Sequence, residues 1–140
     1  MNYLVFLDPY AGELEKILSG TKSAILKEFD PAQAVGQPIS PGDSLYFLRD
    51  TKDHTLRVTA SVVSVLLVVN TEDEELSRNL KEMQPRLQLT EDQYNLWSSK
   101  QQILLVEFES AHKIDVIQIA PHMIKDRSDW IAFKHFSLIT

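Results

Sequence analysis

The stretch Thr55–Val69 constrains the fold more than any other part of the chain, because it is rich in β-branched residues and its alternation slips. Leu56, Val58, Ala60 and Val62 keep one phase, whereas Val63, Val65, Leu67 and Val69 keep the other. Neighbouring side chains on a strand point to opposite faces, so a regular strand would turn half of this apolar set away from the core. One extra residue restores the set to a single face and bends the strand, as a β-bulge does at a barrel corner. The slip predicts a long, bent strand inside a curled sheet.

The flanking segments fit such a sheet. Asn2–Leu7 reads as a first strand feeding a helix from Pro9 to Ser19, with Asp8 as N-cap and Pro9 at the first helical position. Tyr10, Leu14, Ile17 and Leu18 share a helical face, and Gly20 suits the left-handed stop. Lys22–Phe29 follows as a second strand. Ser40-Pro41-Gly42-Asp43 has the Pro-Gly order of a type II turn and opens a third strand at Ser44–Arg49, joined to the long strand by a polar connection, Asp50–His54. Thr71 with Glu74 and Thr90 with Gln93 fit two capping boxes, and Pro85 separates the helices they start. Gln102–Glu109, Lys113–Ile119 and Trp130–Ile139 then read as strands. Short connections between consecutive strands favour antiparallel or mixed pairing. The expected class is α+β: a small mixed or antiparallel β-barrel, a first helix after strand one and a helical insertion around residues 71–99. The 140 residues read as a single domain, 1–140.

Composition excludes several functions. The chain has no cysteine, which removes disulfides, cysteine-ligated zinc, iron–sulfur centres and a thiol nucleophile. The longest apolar run, Val62–Val69, is broken by Ser64 and is far too short to span a bilayer; the N-terminus has no signal-peptide pattern, so a cytoplasmic location is expected. The four histidines, His54, His112, His122 and His135, lie far apart without ligand spacing, and no phosphate-binding glycine loop, HExxH or GxSxG occurs, so no metal or cofactor is expected. A net charge of −6 argues against a broad phosphate-gripping surface. It leaves room for a local cationic site, because Lys22, Lys27, Arg49, Lys52 and Arg57 cluster early, whereas Glu72–Glu75 reads as the acidic first turn of a helix.

The junction from Pro9-Tyr10 through Gly20-Thr21-Lys22 to Lys27 is the candidate site. A helix end followed by a strand that opens on lysine can hold a cation and free N–H groups at the mouth of a pocket. Lys22 suits an anionic or carbonyl-bearing ligand, or a base if desolvation lowers its pKa. Lys27 and Arg49 offer further charge, with ion pairs as their competing roles. Tyr10 and Trp97 are candidates to stack on a base, with core or rim packing as the competing role.

These residues and their order resemble the ASCH domain of the PUA-like superfamily. The family pattern runs from Pro-Tyr through a short helix to Gly-x-Lys-x-x-Glu-x-Arg; here Gly20 and Lys22 match, Ile25 stands at the glutamate and Lys27 at the arginine. Pro41-Gly42-Asp43, Leu96-Trp97 and Ile103–Phe108 resemble later parts of the same pattern, so the resemblance covers residues 3 to 120. It implies a pseudo-barrel with a cleft beside the first helix, and a module binding RNA, a nucleotide or a modified nucleoside through Tyr10, Lys22, Lys27, Arg49 and Trp97. The alternative it implies is an amidohydrolase acting on a small acylated nucleoside such as N4-acetylcytidine, using Lys22 with Glu82. Ile25 departs from that branch, since an isoleucine cannot act as acid, base or nucleophile. A protein-interaction domain is the second alternative.

Overall fold

A computed structural model describes residues 1–29, 39–49, 54–69, 75–124 and 130–140. The elements in chain order are strand β1 (Asn2–Phe6), helix α1 (Glu13–Leu18), strands β2 (Ala24–Glu28), β3 (Ser44–Leu48) and β4 (Thr55–Val69), helices α2 (Glu75–Leu87) and α3 (Glu91–Ser98), and strands β5 (Gln102–Gln118) and β6 (Ile131–Phe133). Short 3-10 turns at Pro121–Ile124 and Phe136–Leu138 complete the C-terminal part. The strands form one mixed sheet in the order β2-β5-β4-β3-β1-β6. β1 and β3 run parallel, and the other neighbours are antiparallel.

The sheet curls into a half-barrel. Phe47 of β3 meets Phe108 of β5 across β4, with ring centroids 5.4 Å apart. Lys27 near one sheet edge sits 6.0 Å from the ring of Trp130, which precedes the opposite edge strand. Two outer strands can approach like this only if the sheet bends toward that face. The bending devices lie in the β4–β5 pair. Val62 pairs with Phe108 and Ser64 with Glu107, so Val63 is the extra residue on β4, at the point where the alternation slips. Val58, Ala60, Val62 and Val65 accordingly all join the core inside the curl. A second irregularity places Ser110 and Ala111 opposite Ala60, and Ser110 adopts φ 58, the left-handed geometry of a bulge residue.

The concave face buries Tyr3, Val5, Ile17, Ile25, Phe47, Val106 and their neighbours. The convex face carries two further cores. One, with Ala24, Leu26, Val68, Ile103 and Leu105, lies under α2, which supplies Leu76, Leu80 and Leu87, and α3, which packs Tyr94 and Trp97 against it. The other, with Leu4, Leu48, Leu56, Ile119, Phe133 and Ile139, lies under the C-terminal segment.

Several boundaries differ from the sequence-based expectation. α1 starts at Glu13, with Gly12 as N-cap at φ 62, because Asp8 spends its side chain on a tight turn. β5 is continuous through 102–118, since the bulge at Ser110 absorbs what reads as a hairpin. Pro85 lies inside α2, within its last turn, rather than between the helices. β6 is short, and the rest of the expected last strand becomes a 3-10 turn. The capping box at Thr90 and Gln93 is present, and Asp43 N–H donates to Ser40 O at 3.1 Å across the expected turn, with Gly42 at φ 93. The Thr71–Glu74 box and most of the Asp50–His54 connection lie outside the described residues.

Candidate functional site

The rim where β1 and β3 end is assembled by short-range hydrogen bonds. Leu7 N–H donates to Leu48 O at 3.0 Å, extending the parallel pairing past both strands. The chain then turns on Asp8, whose Oδ1 accepts Tyr10 N–H at 2.9 Å and whose carbonyl accepts Ala11 N–H at 3.3 Å. This local Asp turn needs no helix and explains why α1 begins late. It leaves Tyr10 at 95% exposure, a full phenol ring offered to solvent from a pinned backbone. Arg49 leaves β3 at the same end of the sheet and stays exposed, with Nη2 at 3.4 Å from Glu15 Oε1 of α1. A guanidinium has five donors in a planar fork, so a single-oxygen contact leaves it able to bind an anion.

Lys22 goes elsewhere. It is 1% exposed, and it faces the side of β2 that carries Ala24 and Leu26, under the helical insertion. Its Nζ donates to Leu87 O at the end of α2 and lies 3.5 Å from Glu13 Oε1. Glu13, also buried, accepts Asp8 N–H on Oε2 at 2.8 Å and Gln93 Nε2 on Oε1 at 3.2 Å. Burial pushes the Lys22 ammonium below the ordinary lysine range, and the Glu13 carboxylate opposes that shift. The expected role of Lys22 in direct ligand contact thus meets a side chain closed off from solvent and already bonded.

The other expected residues divide between the two faces. Lys27 shares the concave face with Ile25 and lies over Trp130, on the opposite side of β2 from Lys22. Trp97 is half-buried against the core under α2 and α3, on the convex side. Glu82 is exposed on α2 and lines a groove of about 190 Å3 with Leu26, Leu80, Met83 and Glu107. The carboxylate beside Lys22 is Glu13. Tyr10 and Arg49 therefore share one rim, Lys27 lies inside the curl, and Lys22, Trp97 and Glu82 belong to the insertion side. Among the described residues no cluster of His, Asp or Glu has the geometry for a metal ion. Glu13 and Gln93 were not legible as site residues: 80 positions separate them, and the capping-box pattern assigned Gln93 a purely local role.

No protein-family model matches the chain, and no curated protein matches it. Solved structures do. An ASCH protein from Zymomonas mobilis superposes with a TM-score of 0.61 at 12% identity, over 84% of this chain and 73% of that one. A serine-to-alanine variant of it superposes with a TM-score of 0.68 at 11% identity, over 99% and 96% of the two chains. The fold is ASCH-like. The N-terminal domain of McrB from Staphylothermus marinus superposes more loosely, with a TM-score of 0.50 at 11% identity over 98% and 90%. At such identities the likeness concerns the ASCH-like half-barrel alone. Among the described residues, no helix is long and apolar enough to cross a membrane.

Proposed function

We propose that this ASCH-like chain is a binding module for single-stranded RNA, or for a nucleotide or modified nucleoside, in the cytoplasm. The observation that carries the reading is Tyr10, held at 95% exposure on a hydrogen-bonded turn at the end of the sheet where exposed Arg49 leaves β3. Exposing a whole aromatic ring forfeits its burial energy, and a rigid backbone lowers the entropy cost of using it. A base stacks on the phenol face while the guanidinium takes a neighbouring phosphate. Lys27, inside the curl, adds positive charge toward the concave face. Lys22 serves the site from behind, as the buried cation that holds its helix.

The amidohydrolase alternative draws less support, because Lys22 has no solvent access and its neighbouring carboxylate is bonded to Asp8 and Gln93. Fluorescence anisotropy with labelled octauridylate tests the binding reading. Replacing Tyr10 by Ala should weaken affinity roughly 5- to 150-fold, the worth of one stacked base, and Tyr10→Phe should retain most of it. Equal affinity for wild type and Tyr10→Ala would remove the rim from the account. Absence of binding to any RNA or nucleoside would favour the interaction-domain alternative, which draws on exposed Val63, Leu66, Leu67 and Val69.

A further inference from the structure

The turn that displays Tyr10 is held by Glu13, and Glu13 is itself held by the helical insertion. One carboxylate oxygen fixes Asp8 N–H at 2.8 Å; the other receives Gln93 Nε2 from α3 at 3.2 Å and the Lys22 ammonium at 3.5 Å. Lys22 extends the connection to Leu87 O at the end of α2. Lys16, on α1, adds a parallel tie by donating to Gln88 O at 3.1 Å. On the other side, Asp8 Oδ1 carries the chain of bonds to Tyr10 N–H at 2.9 Å. Glu13, Lys22 and Gln93 are all buried, so water does not readily replace a lost partner.

We propose that Glu13 is a positioning residue that couples the Tyr10 rim to the α2–α3 insertion, so that docking of the insertion sets the order of the ligand-binding turn. The regulatory meaning rests on the ligand reading above, whereas the coupling itself is a property of the free protein. A carboxylate is the group this junction needs. It offers two acceptor oxygens, one for the turn and one for the insertion, where an amide offers only one. If the insertion lifts away, Glu13 loses Gln93 and its partner Lys22 loses Leu87 O, so the exposed pair turns toward water and Glu13 releases Asp8 N–H. By linkage, a ligand that orders the turn tightens insertion docking by the same factor.

Amide hydrogen exchange on the free protein tests the coupling. In Glu13→Gln, exchange at Asp8 and Tyr10 should accelerate roughly tenfold, the worth of one charge-assisted hydrogen bond, while Val5 and Leu45 in the sheet keep their rates. Lys22→Met should do the same, although Lys22 has no bond to the turn; if that variant does not fold, Glu13→Gln decides alone. Unchanged rates at Asp8 and Tyr10 in the folded variants would overturn the coupling, whether or not RNA binds. Octauridylate then separates the two claims. Slowed exchange at Tyr94 on binding to wild type but not to Glu13→Gln supports the coupling, and binding that leaves Tyr94 untouched contradicts it. Failure of octauridylate to bind removes the ligand reading only, and the free-protein rates still decide the coupling.

Discussion

Lys22 illustrates how burial redirects a side chain whose chemistry would suit a ligand. Removing one partner of a buried ion pair leaves the other charge uncompensated, so Lys22→Met should cost about 3 kcal/mol at neutral pH, measurable by urea denaturation. The pH dependence has a definite sign. Desolvation places the folded-state pKa of Lys22 below the ordinary value of 10.5, so between those two values the unfolded chain binds more protons than the folded one. Stability contributed at Lys22 therefore rises with pH in that window. The margin of wild type over Lys22→Met should widen as pH is raised from neutral toward about 10; a constant or shrinking margin would contradict this. Tyr3, whose phenol is pushed up by burial and by Asp43, titrates in both proteins and cancels from the comparison.

At the scale of elements, the bulges and caps set where the curl begins and how the insertion is seated. Ser110 holds a left-handed φ of 58 that a glycine adopts without strain, so Ser110→Gly should stabilise the protein by a few tenths to about 1 kcal/mol in thermal or urea melts. Thr90→Ala removes one half of a complete capping box and should cost about 1 kcal/mol by the same measurement. A loss below the error of the melt would mean that tertiary packing alone seats α3. These elements also mark how far the sequence could be read. The slip between Val62 and Val63 located a bulge because periodicity is a local signal, and the Thr90–Gln93 box was legible for the same reason. The Ser110 bulge reads as a turn in the sequence, since polar residues between two strands look alike whether the strand bends or reverses. From sequence α1 reads longer than it is because Asp8 fits equally a helix cap or a local turn, and only the buried carboxylate of Glu13 decides between them.

For the whole molecule, the curl separates two surfaces that the sequence presented as one site. Lys22 and Lys27 are close in sequence, yet strand alternation sends one under the insertion and the other into the concave face. The ASCH-like fold was legible from the order of elements and the Gly20–Lys22 junction; which of its cations reach solvent depended on packing between segments far apart in the chain. The acidic total charge of −6 bears on the ligand as well. If Arg49 and Lys27 are the two phosphate partners, as proposed, the slope of log K against log salt for octauridylate should be shallow, about −1.4 for two contacts on a single strand. A slope several times steeper would point to a basic surface that this account does not contain.

The most direct test of the rim is backbone amide chemical-shift mapping of the labelled protein during titration with octauridylate. Shifts should concentrate at Asp8, Tyr10, Ala11 and Arg49, with a weaker response near Lys27. Shifts confined to α2, α3 or the Glu82 groove, with the Tyr10 turn unmoved, would contradict it.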